Sequence, residues 1–193
     1  PSCVVIVATI RALKMHGGLE KAQTAHINVE ALKKGMANLA KHIENIKQYN
    51  LPYVIAINKF HSDTKKEVKT LFNWCQENGH PVFESDAFAK VSKGCKELAH
   101  YVADTLEQQE KNNFEFIYDT DLSIKEKILA ISQKIYGAKD VEYSEKAEED
   151  IKEIIRLGKD KLVVCMAKTP MSLSDNPALI GRPTDFTMFV KEV

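Results

Sequence analysis

Arg11, Lys14 and His16 follow an apolar run, CVVIVATI, and the segment closes on Gly17 and Gly18. A guanidinium or ammonium group just past a strand end meets phosphate or carboxylate well, and paired glycines let backbone approach a ligand closely. The apolar run is rich in Val and Ile, which predicts a strand covered on both faces, as in a parallel α/β sheet. Ligands of such sheets sit beyond the carboxyl ends of the strands, which makes Arg11, Lys14, Gly17 and Gly18 candidate phosphate or substrate contacts. Charge clusters are also commonly the solvated start of a surface helix, and the residues alone leave both readings open.

Two aromatic residues form a second constellation. Phe60 in INKFHSDT and Phe88 in SDAFAKVSKG each stand just outside the end of a predicted parallel strand. On neighbouring strands the two rings would face one slot for a flat heteroaromatic ligand, each ring contact worth about 0.5 to 1.5 kcal/mol beyond burial. Capping of the core is the competing reading. Asn58-Lys59 and the segment from Ser85 are similar to the base-recognition elements of P-loop GTPases. However, the position three after Asn58 is His61, Asp63 comes two residues late, and the sequence holds no GxxxxGK[ST] loop. No metal-ligand spacing of the HExxH kind occurs, so no metal site is expected within these residues.

VATIRALKMHGG, twelve consecutive positions from Val7 to Gly18, resembles the second signature of the formate-tetrahydrofolate ligase family, also called 10-formyltetrahydrofolate synthetases. INKFHSDT, SDAFAKVSKG, FEFIYDTDLSIKEKI, IYGAKDVEYS and LVVCMAKTPMSLSDNP look like further family segments, so the likeness spans nearly the whole chain. It implies a two-step reaction in which ATP, with Mg, phosphorylates formate and N10 of tetrahydrofolate attacks the formyl carbon. It also implies that Phe60 and Phe88 sandwich the pterin. Three departures bear on that slot. The family usually has Trp where Phe88 stands, and a glycine-rich stretch where this chain has Val91-Ser92-Lys93-Gly94; His61 replaces what is often Pro. The phosphate-binding loop would lie upstream and a final segment downstream, so the chain is expected to be a piece of a longer, homo-oligomeric polypeptide and inactive in isolation. A GTPase-like nucleotide-binding module and a non-catalytic assembly domain are the alternatives.

Elements that would carry these residues follow from periodicity. Leu32, Met36, Leu39, Ile43 and Ile46 mark one face of a helix over 30–49, Pro52 ends it, and YVIAIN is a second buried strand, expected to be parallel to the first. Thr64 and Glu67 fit a capping box ahead of a helix with Val68, Leu71, Phe72 and Cys75 inward, and Asn78-Gly79 fits its end. PVFESDAF reads as a third strand, followed by a helix with Leu98, Val102 and Leu106 inward. Repeated βα units define an α/β fold with a parallel sheet and flanking helices, and the resemblance implies a P-loop-NTPase-like sheet.

A polar stretch, 108–113, reads as a linker between a sheet portion, 1–110, and a smaller helical and strand-loop-strand subdomain, 111–193. In the latter, Ser123 and Glu126 fit another capping box, with Ile124, Ile128, Ile131 and Ile135 inward and Gly137 as the stop. A charged helix over 144–157 ends at Gly158, KLVVCMA reads as a strand, and Phe186, Met188 and Val190 alternate with Thr187, Phe189 and Lys191 in a last one. Tyr118, Asp119, Lys168, Thr169, Ser172, Ser174 and Asp175 read as caps and turn hydrogen bonds in these segments, the last five in or beside an irregular loop, 168–185.

The composition narrows the partners. Lys plus Arg and Asp plus Glu each number 27 of 193 residues, so no net field favours nucleic acid or an acidic membrane, and small-molecule substrates are expected. No apolar run approaches a bilayer span of about 20 residues. Cys3, Cys75, Cys95 and Cys165 are widely spaced, which reads as free thiols in a reducing, cytoplasmic setting.

Overall fold

The structure, a computed structural model, describes residues 1–109 and 111–193; Glu110, inside the expected linker, lies outside them. The chain divides into two units, Pro1–Glu115 and Phe116–Val193. In the first, β1 (Val4–Ala8), β2 (Tyr53–Asn58) and β3 (Val82–Ser85) form a sheet in the order β1-β2-β3, parallel throughout. Parallel neighbours need long crossovers, and α2 (Val29–Lys47) and α3 (Lys65–Glu77) supply them, with α1 (Ile10–His16) following β1 directly.

The core explains why these segments hold together. Ile55 and Ile57 of β2 pack with Leu32, Met36, Leu39 and Ile43 of α2 and with Val68, Leu71 and Cys75 of α3. Val54 and Ala56, on the opposite face of β2, are buried as well, as the continuous apolar run requires. β1 departs from that expectation. It lies at the edge of the sheet, and its Val5 and Val7 are exposed, Val7 by 63%, so among the described residues only one of its faces is covered.

Caps set the helix boundaries. The Asn28 side chain accepts from the Ala31 amide at the start of α2, one residue ahead of the expected start. Thr64 and Glu67 form a reciprocal capping box on α3, whose C-terminal turn closes through Gly79 at φ +70°. The helix expected after β3 is divided into α4 (Ala87–Lys90), a 3-10 turn (Val91–Cys95) and α5 (Lys96–Glu107). On α5, Leu98 and Val102 are half-buried and Leu106 is exposed, so its apolar face is only partly covered.

The second unit contains α6 (Ile124–Ile131), β4 (Asp140–Tyr143), α7 (Glu145–Arg156) and β5 (Thr187–Val190). Ser123 and Glu126 make the expected capping box. A π turn, Ser132–Tyr136, then shifts the helical register, which leaves Ile135 half-buried while Ile124, Ile128 and Ile131 are buried. β4, absent from the sequence reading, pairs in parallel with β5, where Met188 is buried and Phe189 exposed.

The strand expected at KLVVCMA does not form: these residues make no ladder with β5 among the described residues, and Leu162 and Val163 are exposed. Their backbone is held otherwise. The fully buried Lys127 donates to the carbonyls of Asp160 (2.9 Å) and Leu162 (3.1 Å), and Tyr118 Oη accepts from the Val164 amide (3.0 Å). The second unit is therefore helices and one strand pair with a long irregular segment, in place of the expected strand at 161–167 and loop leading to the last strand. In that segment Thr169, Ser172 and Ser174 accept backbone amides two residues on, the turn roles expected of them.

Candidate functional site

Strand register brings the two candidate aromatic residues to one end of the sheet. Asn58 of β2 pairs with Ser85 of β3, Phe60 lies two residues beyond the first and Phe88 three beyond the second. Both therefore leave the carboxyl ends of adjacent parallel strands. β1 ends beside them, with Ala8 opposite Ile57, and leads into α1, so Arg11 starts from the same edge.

Phe60 sits in a tight turn of the loop joining β2 to α3. The Asp63 amide donates to the Phe60 carbonyl (2.9 Å), and Asp63 Oδ2 accepts from the Phe60 amide (2.9 Å). Phe60 is 40% exposed. The Arg11 guanidinium carbon lies over it, 5.1 Å from the ring centroid, and Arg11 Nη2 donates to Ser62 Oγ (2.7 Å). Arg11 thus touches both the ring and the turn that carries it.

Lys14, one helical turn further on, points inward. Its Nζ donates to Glu67 Oε1 (2.8 Å) and to the His26 carbonyl (2.9 Å), in a position almost sealed from solvent. Glu67 collects more: Oε1 also accepts from the Asn28 amide (2.9 Å), and Oε2 from Thr64 Oγ1 (2.7 Å). Burial alone pushes the Glu67 carboxyl up, but hydrogen bonds from Lys14, the Asn28 amide and Thr64 outweigh it and hold the group below its ordinary value. The structure gives the Lys14 charge a carboxylate of its own chain.

The glycine pair divides in the same way. A Cβ on Gly17 would stand 1.8 Å from the Ala31 carbonyl oxygen of α2, so the close approach it permits is to a helix of its own chain. Gly18, at φ +99°, has open space around the corresponding position. Of the N-terminal candidates, Arg11 and Gly18 stay within reach of solvent, whereas Lys14 is sealed inside and Gly17 packs against α2.

Phe88 rides on α4 and is 97% exposed. Its loop is closed at the base, where the Asp86 amide donates to the Gly94 carbonyl (2.9 Å) and a Cβ on Gly94 would meet the Asp86 oxygen at 2.2 Å. Within the loop Val91 adopts φ +52°, a conformation that glycine takes freely and a β-branched residue resists.

Lys59 pairs with Glu84 (2.8 Å), a hydrogen bond that raises the Lys59 pKa, and Asp63, the carboxylate nearest to a guanine-reading position, is used by the Phe60 amide. Among the described residues no group of three His, Cys, Asp or Glu is placed to hold a metal. All four cysteines are free, and no described helix is long and apolar enough to cross a membrane. The hub role of Glu67 and the stacking of Arg11 on Phe60 were missed by the sequence reading. The only signal for the first was the capping box, and nothing in the spacing indicated the second.

A parallel sheet with a guanidinium and two aromatic residues past its carboxyl edge is an α/β arrangement of the class whose ligands sit beyond the strand ends. Comparison narrows the class. The profile of the formate-tetrahydrofolate ligase family matches residues 1–193, and the chain belongs to that family. The formate-tetrahydrofolate ligase of Bacillus licheniformis is 47% identical over 193 residues, all of this chain and 34% of that protein. The chain therefore spans about a third of the length of this relative.

Proposed function

We propose that the chain is the tetrahydrofolate-binding part of a formate-tetrahydrofolate ligase. In the whole reaction the γ-phosphoryl group of ATP, carried as its Mg complex, passes to formate and gives formyl phosphate and ADP. N10 of tetrahydrofolate then attacks the formyl carbon, the carbon–oxygen bond to phosphate breaks, and N10 loses its proton. The products are 10-formyltetrahydrofolate and phosphate. Formyl phosphate reacts with water, so the folate must be aligned before the intermediate forms.

Phe60 and Phe88 supply that alignment by taking the pterin between them, on a sheet of P-loop-NTPase type. The observation that carries this reading is the Asn58–Ser85 pairing, from which both aromatic residues emerge on adjacent strands. Arg11, over the Phe60 ring, borders the slot. The sequence lacks a GxxxxGK[ST] loop, so the nucleotide phosphates are held by other parts of the polypeptide, and residues 1–193 alone carry out no ATP-dependent formyl transfer. The full-length protein works as a homo-oligomer in the cytoplasm. A guanine-specific module is disfavoured because Asp63 is committed to the Phe60 turn.

Calorimetric titration with tetrahydrofolate tests the reading. Phe60→Ala and Phe88→Ala should each weaken binding about tenfold, equivalent to about 1.4 kcal/mol. Unchanged affinity in both variants, or tight binding of GDP instead, would refute it.

A further inference from the structure

Resting on the folate-slot reading, we propose that Arg11 is a positioning residue that holds the Phe60 ring as the rear wall of the slot. The loop between β2 and α3 is short, and each part of it is tied. Asp63 closes the turn on both the amide and the carbonyl of Phe60, and Arg11 holds Ser62 in the middle of that turn. Glu67, through Thr64, fixes the far end, and Glu67 is in turn fixed by Lys14.

Arg11 and Lys14 are three residues apart on α1 and so lie on one side of it. That helix is itself immobilised, because it crosses α2 backbone to backbone at Gly17 and Gly35. The two cations therefore act from a rigid support on the two ends of one loop. Lys14 anchors it out of solvent, and Arg11, half-buried, works beside the partly open Phe60.

The guanidinium over one ring face has two effects. It blocks that face to ligand, so a flat ring system can stack only on the other. It also fixes the ring plane before the ligand arrives, which reduces the ordering cost of binding. A residue of this kind affects how well the folate is held and leaves the chemistry of phosphoryl transfer untouched.

The test is steady-state kinetics of the full-length ligase with each substrate varied in turn. Arg11→Met should raise the KM for tetrahydrofolate about three- to tenfold, the effect of losing one cation–π contact and one charged hydrogen bond. The KM values for ATP and formate, and kcat at saturating folate, should change by less than about twofold. In a Phe60→Leu background the same substitution should add nothing, because it acts through the ring. Ser62→Ala, a smaller change in the half-buried part of the turn, should raise the folate KM about two- to threefold and serves if Arg11→Met does not fold.

The outcomes separate the two ideas. If Phe60→Leu weakens folate binding while Arg11→Met and Ser62→Ala do not, positioning by Arg11 is wrong and the slot stands. Should Phe60→Leu leave folate binding intact, the slot itself fails. A rise in the KM for ATP or formate, or a fall in kcat at saturating folate, in Arg11→Met would make Arg11 a contact to the reacting groups and overturn the proposal.

Discussion

Lys14 and Glu67 meet at 2.8 Å with side chains only 2% and 1% exposed, and this ion pair joins α1, the start of α2 and the start of α3. Removing one partner leaves the other charge buried and unpaired. Glu67→Gln should therefore cost about 3 to 5 kcal/mol of stability, measured by urea unfolding, whereas the Lys14→Met, Glu67→Leu double variant should recover most of the loss. Equal stability of Glu67→Gln and the parent chain would contradict the buried pairing.

The same carboxylate sets a pH dependence. Its folded-state pKa lies below the ordinary value, so its contribution is fully present above about pH 4.3, the unfolded-state value, and is lost as pH falls through the folded one. The stability gap between the parent chain and Glu67→Gln should consequently narrow on acidification below about pH 4.3. Urea midpoints between neutral and acid pH measure this, and a gap that widened would have the wrong sign.

Gly35 reverses an expectation from helix propensity. Inside a helix Gly→Ala is normally worth about 1 kcal/mol in favour of Ala. Here a Cβ would lie 1.8 Å from the Leu13 carbonyl oxygen, which mirrors the contact of Gly17 with Ala31. Gly35→Ala should instead destabilise the chain by about 2 kcal/mol or more, because backbone has to move. Thermal unfolding gives the sign directly.

Val91 is the converse case, an exposed β-branched residue at φ +52°. Strain of this kind costs about 1 to 3 kcal/mol, and little apolar contact is lost on truncation. Val91→Gly should raise stability by about 1 kcal/mol, net of the added freedom of glycine in the unfolded chain. A drop in the unfolding midpoint would argue against the strained conformation.

Thiol labelling distinguishes the cysteines. Cys75 is fully buried and its pKa is pushed up to about 12 by that burial, while Cys165 is exposed. Under native conditions at pH 8 an alkylating reagent should modify Cys165 and leave Cys75 untouched until the chain is unfolded. Mass spectrometry of the peptides reads the result.

Local signals were legible where the chemistry is local. The capping boxes at Thr64 and Ser123, the apolar stripe Leu32-Met36-Leu39-Ile43 and the buried run YVIAIN each depend on residues a few positions apart, and each appears in the structure as the sequence indicated. The parallel arrangement followed from the strand-helix-strand order. KLVVCMA was misread for the opposite reason: β-branched apolar residues favour an extended backbone, but a strand exists only when a partner completes its ladder.

The residue types past the strand ends were set by the sequence alone: a guanidinium, an ammonium, two glycines and two aromatic rings. Their division of labour was decided by tertiary structure. Lys14 found Glu67 more than fifty residues away, Gly17 found the carbonyl of Ala31, and Arg11 found the ring of Phe60. Those contacts depend on how two helices cross and where a loop returns, and no spacing along the chain encodes a distance between elements that are joined only by folding.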